Sequence, residues 1–284
     1  MERRHEPSSI RPQRPRSERP RYTRMSSPLV RVRNVGLTLL LLLAALPGSA
    51  QEPQPERLNV PWGVGERLEY DLKFGKLKVG SGSMEVTDVE DVRGREAWHT
   101  KFEVRGGTFF YRVNDTYESW FDTHTGNSLR FRQDLNEGSR DVERIFNMYP
   151  ERSVFVENAD TAMASVSNPL DDGSFLYFIR TLPLTVGETY SFDRYFRPDR
   201  NPVTIKVLRK ERVSVPAGEF DAIVVQPIIK AKGIFSENGH AEVWLSDDKN
   251  RIMLQMKSGL SFGSINLYLK SYRPARAGAT TKAP

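Results

Sequence analysis

Period-two alternation of apolar and polar residues dominates the chain from Gly65 to Tyr272. Leu68, Tyr70, Leu72 and Phe74 alternate with polar neighbours, as do Trp98, Thr100, Phe102 and Val104, then Val203, Ile205 and Val207, then Ile252, Leu254 and Met256. Successive side chains of a strand point to opposite faces, so this pattern marks half-buried strands. Turn-forming clusters punctuate them: Arg93-Gly94, Thr125-Gly126-Asn127, Pro216-Ala217-Gly218, Asn238-Gly239 and Asp247-Asp248-Lys249-Asn250. No long stretch has helical period. The expectation is an all-β, mainly antiparallel fold. One short helix is the exception, over residues 172–181: Phe175, Leu176, Phe178, Ile179 and Leu182 fall at helical spacing, Asp171, Asp172 and Ser174 can cap its start, and Pro183 stops it. Its wide apolar face suits plugging an open end of a sheet.

The strands are written twice. VGERLEYD from Val64 matches VGETYSFD from Val186, an offset of 122. Glu118 and Trp120 match Glu242 and Trp244 at 124, and Gly138-Ser139 matches Gly263-Ser264 at 125. Three modest matches in one order at nearly one offset predict two similar β-repeats, 61–149 and 183–272. A connector, 150–182, carries one strand (Ser153–Glu157) and the helix. A small meander exposes two edges that invite aggregation. Two copies can pair edges and share a core, which predicts a closed or half-open β-barrel-like curved sheet in a single domain, 61–272. Gly65 and Gly187, kept in both copies, read as backbone positions that only glycine tolerates, and Glu66 and Glu188 as turn or strand-capping residues.

The N-terminal residues read as an export signal. Residues 35–46, VGLTLLLLLAAL, follow Arg31 and Arg33 and precede Pro47-Gly48-Ser49-Ala50, with small residues at both cleavage-determining positions. Twelve residues rise only about 18 Å as a helix, short of a bilayer core of about 30 Å. Cleavage near Ala50 and a periplasmic or secreted destination are expected, with no transmembrane helix in the mature chain. Residues 1–24 are rich in Arg and Pro and predict disorder, with Met25 as an alternative start. Residues 51–60 read as a polar linker and 273–284 as a disordered tail. The first 50 residues hold 10 of the 42 Lys+Arg and 3 of the 36 Asp+Glu, leaving 32 basic and 33 acidic residues beyond them. That near-neutral remainder offers no electrostatic footprint for nucleic acid. Without cysteine, an exported chain depends on its core, and lipoprotein-type attachment through a Cys has no residue to use.

Catalytic and metal signals are weak. Gly259-Leu260-Ser261-Phe262-Gly263 fits G-x-S-x-G, yet both flanks read as β and no Asp, Glu or His follows Ser261, so a hairpin turn explains it better than a nucleophile elbow. His99, His124 and His240 lack ligand spacing; His124 reads as a solvated turn residue and His99 as outward-facing. Asp247-Asp248 with Asn250 reads as a hairpin turn, without the twelve-residue calcium pattern. No catalytic residue, cofactor or metal is assigned, and the enzyme question leans towards a negative answer. Gly80-Ser81-Gly82-Ser83 marks a place where a neighbouring backbone or a ligand comes close. The aromatic load has two readings: core filling, or the lining of a cavity for an acyl chain or flat ligand, for which Trp98, Phe110, Trp120, Phe178 and Trp244 are the ligand-binding candidates.

Taken together, the segments VGERLEYDLKFGKLKVGSGSMEV, FYRVNDTYESWFD, FLYFIRTLPLTVGETY, VSVPAGEFDAIVV and VWLSDDKNRIMLQMKSGLSFGSINLYLKSY resemble the bacterial envelope family known as domain of unknown function 3108 (DUF3108). The resemblance covers 61–272. It implies a secreted, β-rich domain of Gram-negative-type bacteria and brings no catalytic or binding residues. The leading expectation is a non-enzymatic periplasmic protein that binds a hydrophobic envelope component, such as a lipid, or a partner protein of the envelope. A hydrolase of cell-wall or polysaccharide substrates is the alternative, and an outer-membrane barrel the third. Against the barrel stand a polar, Pro-containing C-terminus and strands charged on one face.

Overall fold

The computed structural model describes residues 56–108, 111–230, 241–260 and 263–276. The expected signal and extension (1–50), the candidate Phe110, and the tail beyond 276 lie outside the described residues. Strands β1 (Arg67–Phe74), β2 (Leu77–Asp91), β3 (Glu96–Thr108), β4 (Tyr111–Asp122), β5 (Ser128–Glu137) and β6 (Arg140–Tyr149) form an antiparallel meander. The connector adds β7 (Val154–Glu157), a two-residue β8 (Met163–Ala164) and helix α1 (Asp172–Ile179). A second meander follows: β9 (Thr189–Phe192), β10 (Val203–Val215), β11 (Gly218–Ile228), β12 (Glu242–Ser246), β13 (Met253–Leu260) and β14 (Gly263–Arg273). All fourteen strands belong to one curved sheet, ordered β8-β7-β6-β5-β4-β3-β2-β1-β14-β13-β12-β11-β10-β9.

The two meanders match strand by strand. Gly65 N–H donates to the Val86 carbonyl at 2.8 Å and Val86 N–H to that of Glu66 at 2.9 Å. Gly187 N–H donates to Val207 and Val207 N–H to Glu188, both at 2.9 Å. The two glycines hold φ of 86° and 89°. Register shifts fall between Val86 and Asp88 in one copy and Val207 and Arg209 in the other. A second shift follows Trp120 and recurs after Trp244. These bulges bend the strands at equivalent places in the two meanders.

The last strand of the second copy joins the first strand of the first: β14 pairs with β1 from Arg67↔Arg273 to Phe74↔Ile265. The mirror pairing, β6 with β9, is replaced by β7, β8 and α1, so no strand pairing joins β8 to β9 among the described residues. The barrel is half-open. Its seam is bridged by irregular chain, with Leu170 N–H on the Arg194 carbonyl and Phe196 N–H on that of Leu170. The chain expected to leave the sheet at 273 stays attached through Arg276, whose N–H donates to the Val64 carbonyl at 3.0 Å.

Helix α1 starts as the sequence predicts. Asp171 accepts from the Gly173 and Ser174 N–H groups, and the Ser174 hydroxyl accepts from Asp171 N–H, a reciprocal cap. Ser119 of β4 donates to the Asp171 carboxylate at 2.7 Å, and Ser128 of β5 bonds Ser174, so the cap is tied to the sheet. The helix ends at Ile179, two residues short of the predicted range 172–181, and the side chain of the next residue, Arg180, turns into the core.

Candidate functional site: the concave face of the half-barrel

One end of the sheet is closed. Arg180 and Glu66 meet there in a two-pronged ion pair at 2.7 and 2.9 Å, both side chains almost fully buried. Arg180 also donates to the carbonyls of Asn250 and Pro61, and its guanidinium lies 5.4 Å from the Trp62 ring. The planar fork satisfies both carboxylate oxygens, which is what makes a buried charge tolerable. Beneath α1, the space between Leu68, Met84, Leu176, Ile179, Val243, Leu245 and Met253 shrinks to about 10 Å³, room for about one water and no acyl chain. The helix end of the interior is filled.

The other end is different. Across β1–β4 the register builds rows of inward-facing residues. The first, Leu68–Met84–Phe102–Tyr117, starts at the filled space beneath α1; Tyr70–Gly82–Val104–Asp115 and then Leu72–Gly80–Gly106–Val113 follow towards the β1–β2 turn. Outermost is the pair Phe74–Leu77 at the β1–β2 turn. Leu68, Tyr70 and Met84 are buried, whereas Phe102, Val104, Val113 and Tyr117 are only half-buried, and Phe74 and Leu77 are 41% and 67% exposed. An aromatic ladder runs across the sheet from this face: Phe102, Tyr117, Phe131, Phe146 and Phe155, one ring per strand from β3 to β7, with centroids 5.9–6.4 Å apart. Such pairs add stability beyond simple burial.

The glycines on this face allow close backbone approach. A Cβ on Gly80 would lie 2.2 Å from the Arg105 carbonyl oxygen and one on Gly106 2.4 Å from that of Val79. Of the two readings of Gly80-Ser81-Gly82-Ser83, the neighbouring backbone is the one that comes close. Leu267 leans over Gly82 and fills the space above it.

Asp115 is one of the polar groups on this face, with Gln133 opposite Tyr117 and Glu137 opposite Val113. It is buried and accepts the Asn136 N–H at 3.0 Å. Burial pushes its carboxyl up to about 6, with the nearby Glu137 adding to the rise. Burial also raises the hydroxyl of its neighbour Tyr117, with the Asp115 charge contributing.

The structure separates the aromatic candidates. Trp98 faces inwards at the closed end, cross-strand from Phe121, with an indole N–H that makes no hydrogen bond. Phe178 packs edge-on against Phe192 of β9, with Arg194 above its ring. Trp120 and Trp244 lie on the outer face, flanked in sequence by inward residues. Their indole N–H groups reach Glu90 at 2.8 Å and Glu211 at 2.6 Å. His99 stacks on Trp120 at 4.2 Å, and Arg209 and Lys257 flank Trp244. The shared Glu-x-Trp of the repeats therefore builds the same outer-face clamp twice. Phe102 and Val104, which help carry the concave face, show in the sequence only as alternating residues, because a half-buried side chain and a core side chain have the same pattern.

His99 is outward-facing as expected, though held by Glu90 and Glu118. His124, expected in solvent, is half-buried beside Glu96, because its turn folds back under the Asp122 carboxylate. Among the described residues no group of three or more His, Asp or Glu could hold a metal ion. β13 ends at Leu260 and β14 begins at Gly263, so the G-x-S-x-G string sits between two strands of a hairpin, and Ser261 itself lies outside the described residues.

A family model described as "Protein of unknown function (DUF3108)" matches residues 69–270. Among solved structures, the chain is similar to a β-barrel-like protein of domain of unknown function DUF1849 from Brucella abortus, with 12% identity, a TM-score of 0.51, and coverage of 76% of this chain and 99% of that one. It is also similar, at a TM-score of 0.36 and 12% identity, to a protein from Parabacteroides distasonis described as "a putative lipoprotein", covering 77% and 100% of the two chains. The first likeness speaks to the fold alone, and the second carries no argument. No curated protein matches the chain.

Proposed function

The chain belongs to the DUF3108 family of proteins of unknown function, and we propose that it is an exported, non-enzymatic periplasmic protein that binds an apolar envelope component on the concave face of its half-barrel. The observation that carries this reading is the set of half-buried apolar side chains, Phe102, Val104, Val113 and Tyr117, on the concave face of β3 and β4. A folded chain that leaves inward aromatics partly wet has apolar area still to bury, and a ligand gains by covering it. The filled helix end argues against a carrier that swallows a chain whole; the ligand lies shallow, against the open end. Export rests on the segment before Ala50. No helix among the described residues is long and apolar enough to cross a membrane.

An outer-membrane barrel fits poorly. The sheet is not closed, and the outer face carries Arg67–Glu85, Arg132–Glu118 and Arg209–Glu242 ion pairs where lipid demands apolar side chains. One observation favours the hydrolase alternative: Asp115, with its raised carboxyl, shares the concave face with Glu137, whose strand partner is Val113.

Native mass spectrometry of the protein purified from the periplasm of its own cells tests the leading reading. A co-purifying apolar molecule, and loss of a fluorescent fatty-acid probe from Phe102→Ser and Tyr117→Ser proteins, are expected. If no adduct is present and the wild type ignores the probe, the reading is wrong. Hydrolysis of a cell-wall glycan that disappears in Asp115→Asn would favour the enzyme instead.

A further inference from the structure

The β1–β2 turn stands out among the exposed surfaces. Five large hydrophobic side chains are exposed among the described residues: Leu58, Phe74, Leu77, Met163 and Val186. Three are isolated. Phe74 and Leu77 are cross-strand partners at one hairpin tip, where Gly75, at φ 57°, makes the turn and a Cβ would touch nothing. The tip reads Lys73-Phe74-Gly75-Lys76-Leu77-Lys78, so three lysines surround the two apolar side chains. Lys73 lies over the Tyr268 ring at 4.8 Å and Lys78 reaches Asp71 at 2.6 Å while remaining 54% exposed. Both anchors hold the ammonium groups beside the tip. Asp71 is the one carboxylate in β1 or the turn that reaches these lysines.

We propose that this hairpin docks the open end of the half-barrel onto an anionic lipid surface, with Phe74 and Leu77 entering the headgroup–acyl boundary and Lys73, Lys76 and Lys78 facing lipid phosphates. Two apolar side chains alone give weak, reversible insertion, and the lysines supply the second signal. Each lysine near an anionic leaflet strengthens binding about fivefold. Charge favours this partner: three cations around two apolar side chains match a surface whose apolar layer lies just beneath anionic phosphates. The inference rests on the proposed binding of an apolar component, because Phe74 occupies the outermost row of the same concave face, and docking there brings that face to its ligand's source.

Sedimentation of the purified protein with vesicles tests it. Mixed phosphatidylglycerol–phosphatidylcholine vesicles should bind at least about tenfold more tightly than pure phosphatidylcholine vesicles, and added salt should weaken the binding. Phe74→Ser/Leu77→Ser and, separately, Lys76→Glu should each lose about tenfold or more, while Val186→Ser, at another exposed site, binds as the wild type does. The tip side chains support no core, so unchanged urea midpoints identify folded variants. Equal binding to both vesicle types, or tip variants that bind like the wild type, would overturn the inference. A protein that takes up the fatty-acid probe but ignores vesicles overturns docking alone; one that binds vesicles but never the probe overturns the concave-face reading alone.

Discussion

Glu66 and Glu188 occupy the same position in the two repeats, each accepting the N–H of the next strand through its backbone carbonyl, yet Glu66 is buried against Arg180 and Glu188 is exposed. The duplication fixed the backbone and left the side chains to diverge. Glu66→Ala leaves a buried guanidinium without its partner and should cost roughly 3–5 kcal/mol, while Glu188→Ala should stay within about 0.5 kcal/mol. Urea unfolding of both proteins decides. In a Glu66→Leu/Arg180→Met double variant much of the loss should return, because no charge is then stranded.

The glycines divide in a similar way. Gly187 needs only its φ of 89°, with nothing within 4 Å of an added Cβ, so Gly187→Ala should cost about 1–2 kcal/mol. Gly80 keeps an ordinary φ, but a methyl there would strike the Arg105 carbonyl. Strands β2 and β3 would have to part, and a loss of about 3 kcal/mol or more is expected. Equal midpoints for the two variants would contradict the close approach.

Trp120 and Trp244 should behave as clamps. Phenylalanine keeps the apolar body and removes the N–H bonded to Glu90 or Glu211, so each substitution should lower stability by about 1–2 kcal/mol. Neither should change uptake of the fatty-acid probe. A Trp244→Phe protein with wild-type stability and lost probe binding would return this residue to the ligand site.

These contrasts show what the sequence can carry. Strand alternation, the paired Gly65 and Gly187, the Asp171 cap and the doubled Glu-x-Trp are local patterns, and each reappears as a local structure. The departures lie where distant segments meet. Arg180 follows the helix and looks like a surface residue until Glu66 is placed beside it. Phe102 and Tyr117 have the alternation of any core strand, and their partial exposure shows only once the facing elements are in place. The choice between a closed and a half-open sheet could not be read from either repeat, since it depends on how β6 and β9 meet across the connector.

Asp171 makes stability depend on pH in an unusual direction. Burial is the largest influence on its carboxyl and pushes it up to about 6, only partly offset by the Ser174 N–H and the Ser119 and Ser128 hydroxyls. In the unfolded chain the same group ionises near its ordinary value of about 3.9. Between those limits the folded protein holds a proton that the unfolded chain releases, so stability falls as pH rises through about 4 to 6 and then levels off. Other carboxylates add slopes of their own that the wild type and an Asp171→Asn variant share, apart from the neighbouring Asp172, whose charge helps to raise Asp171. Asparagine is an equally good N-cap and keeps an acceptor for the Gly173 and Ser174 N–H groups. From pH 4.5 to pH 7 the wild type should therefore lose about 1–3 kcal/mol relative to Asp171→Asn. Parallel urea titrations at the two pH values measure the difference; identical pH dependence in the two proteins would mean that the carboxylate stays ionised in its buried cap.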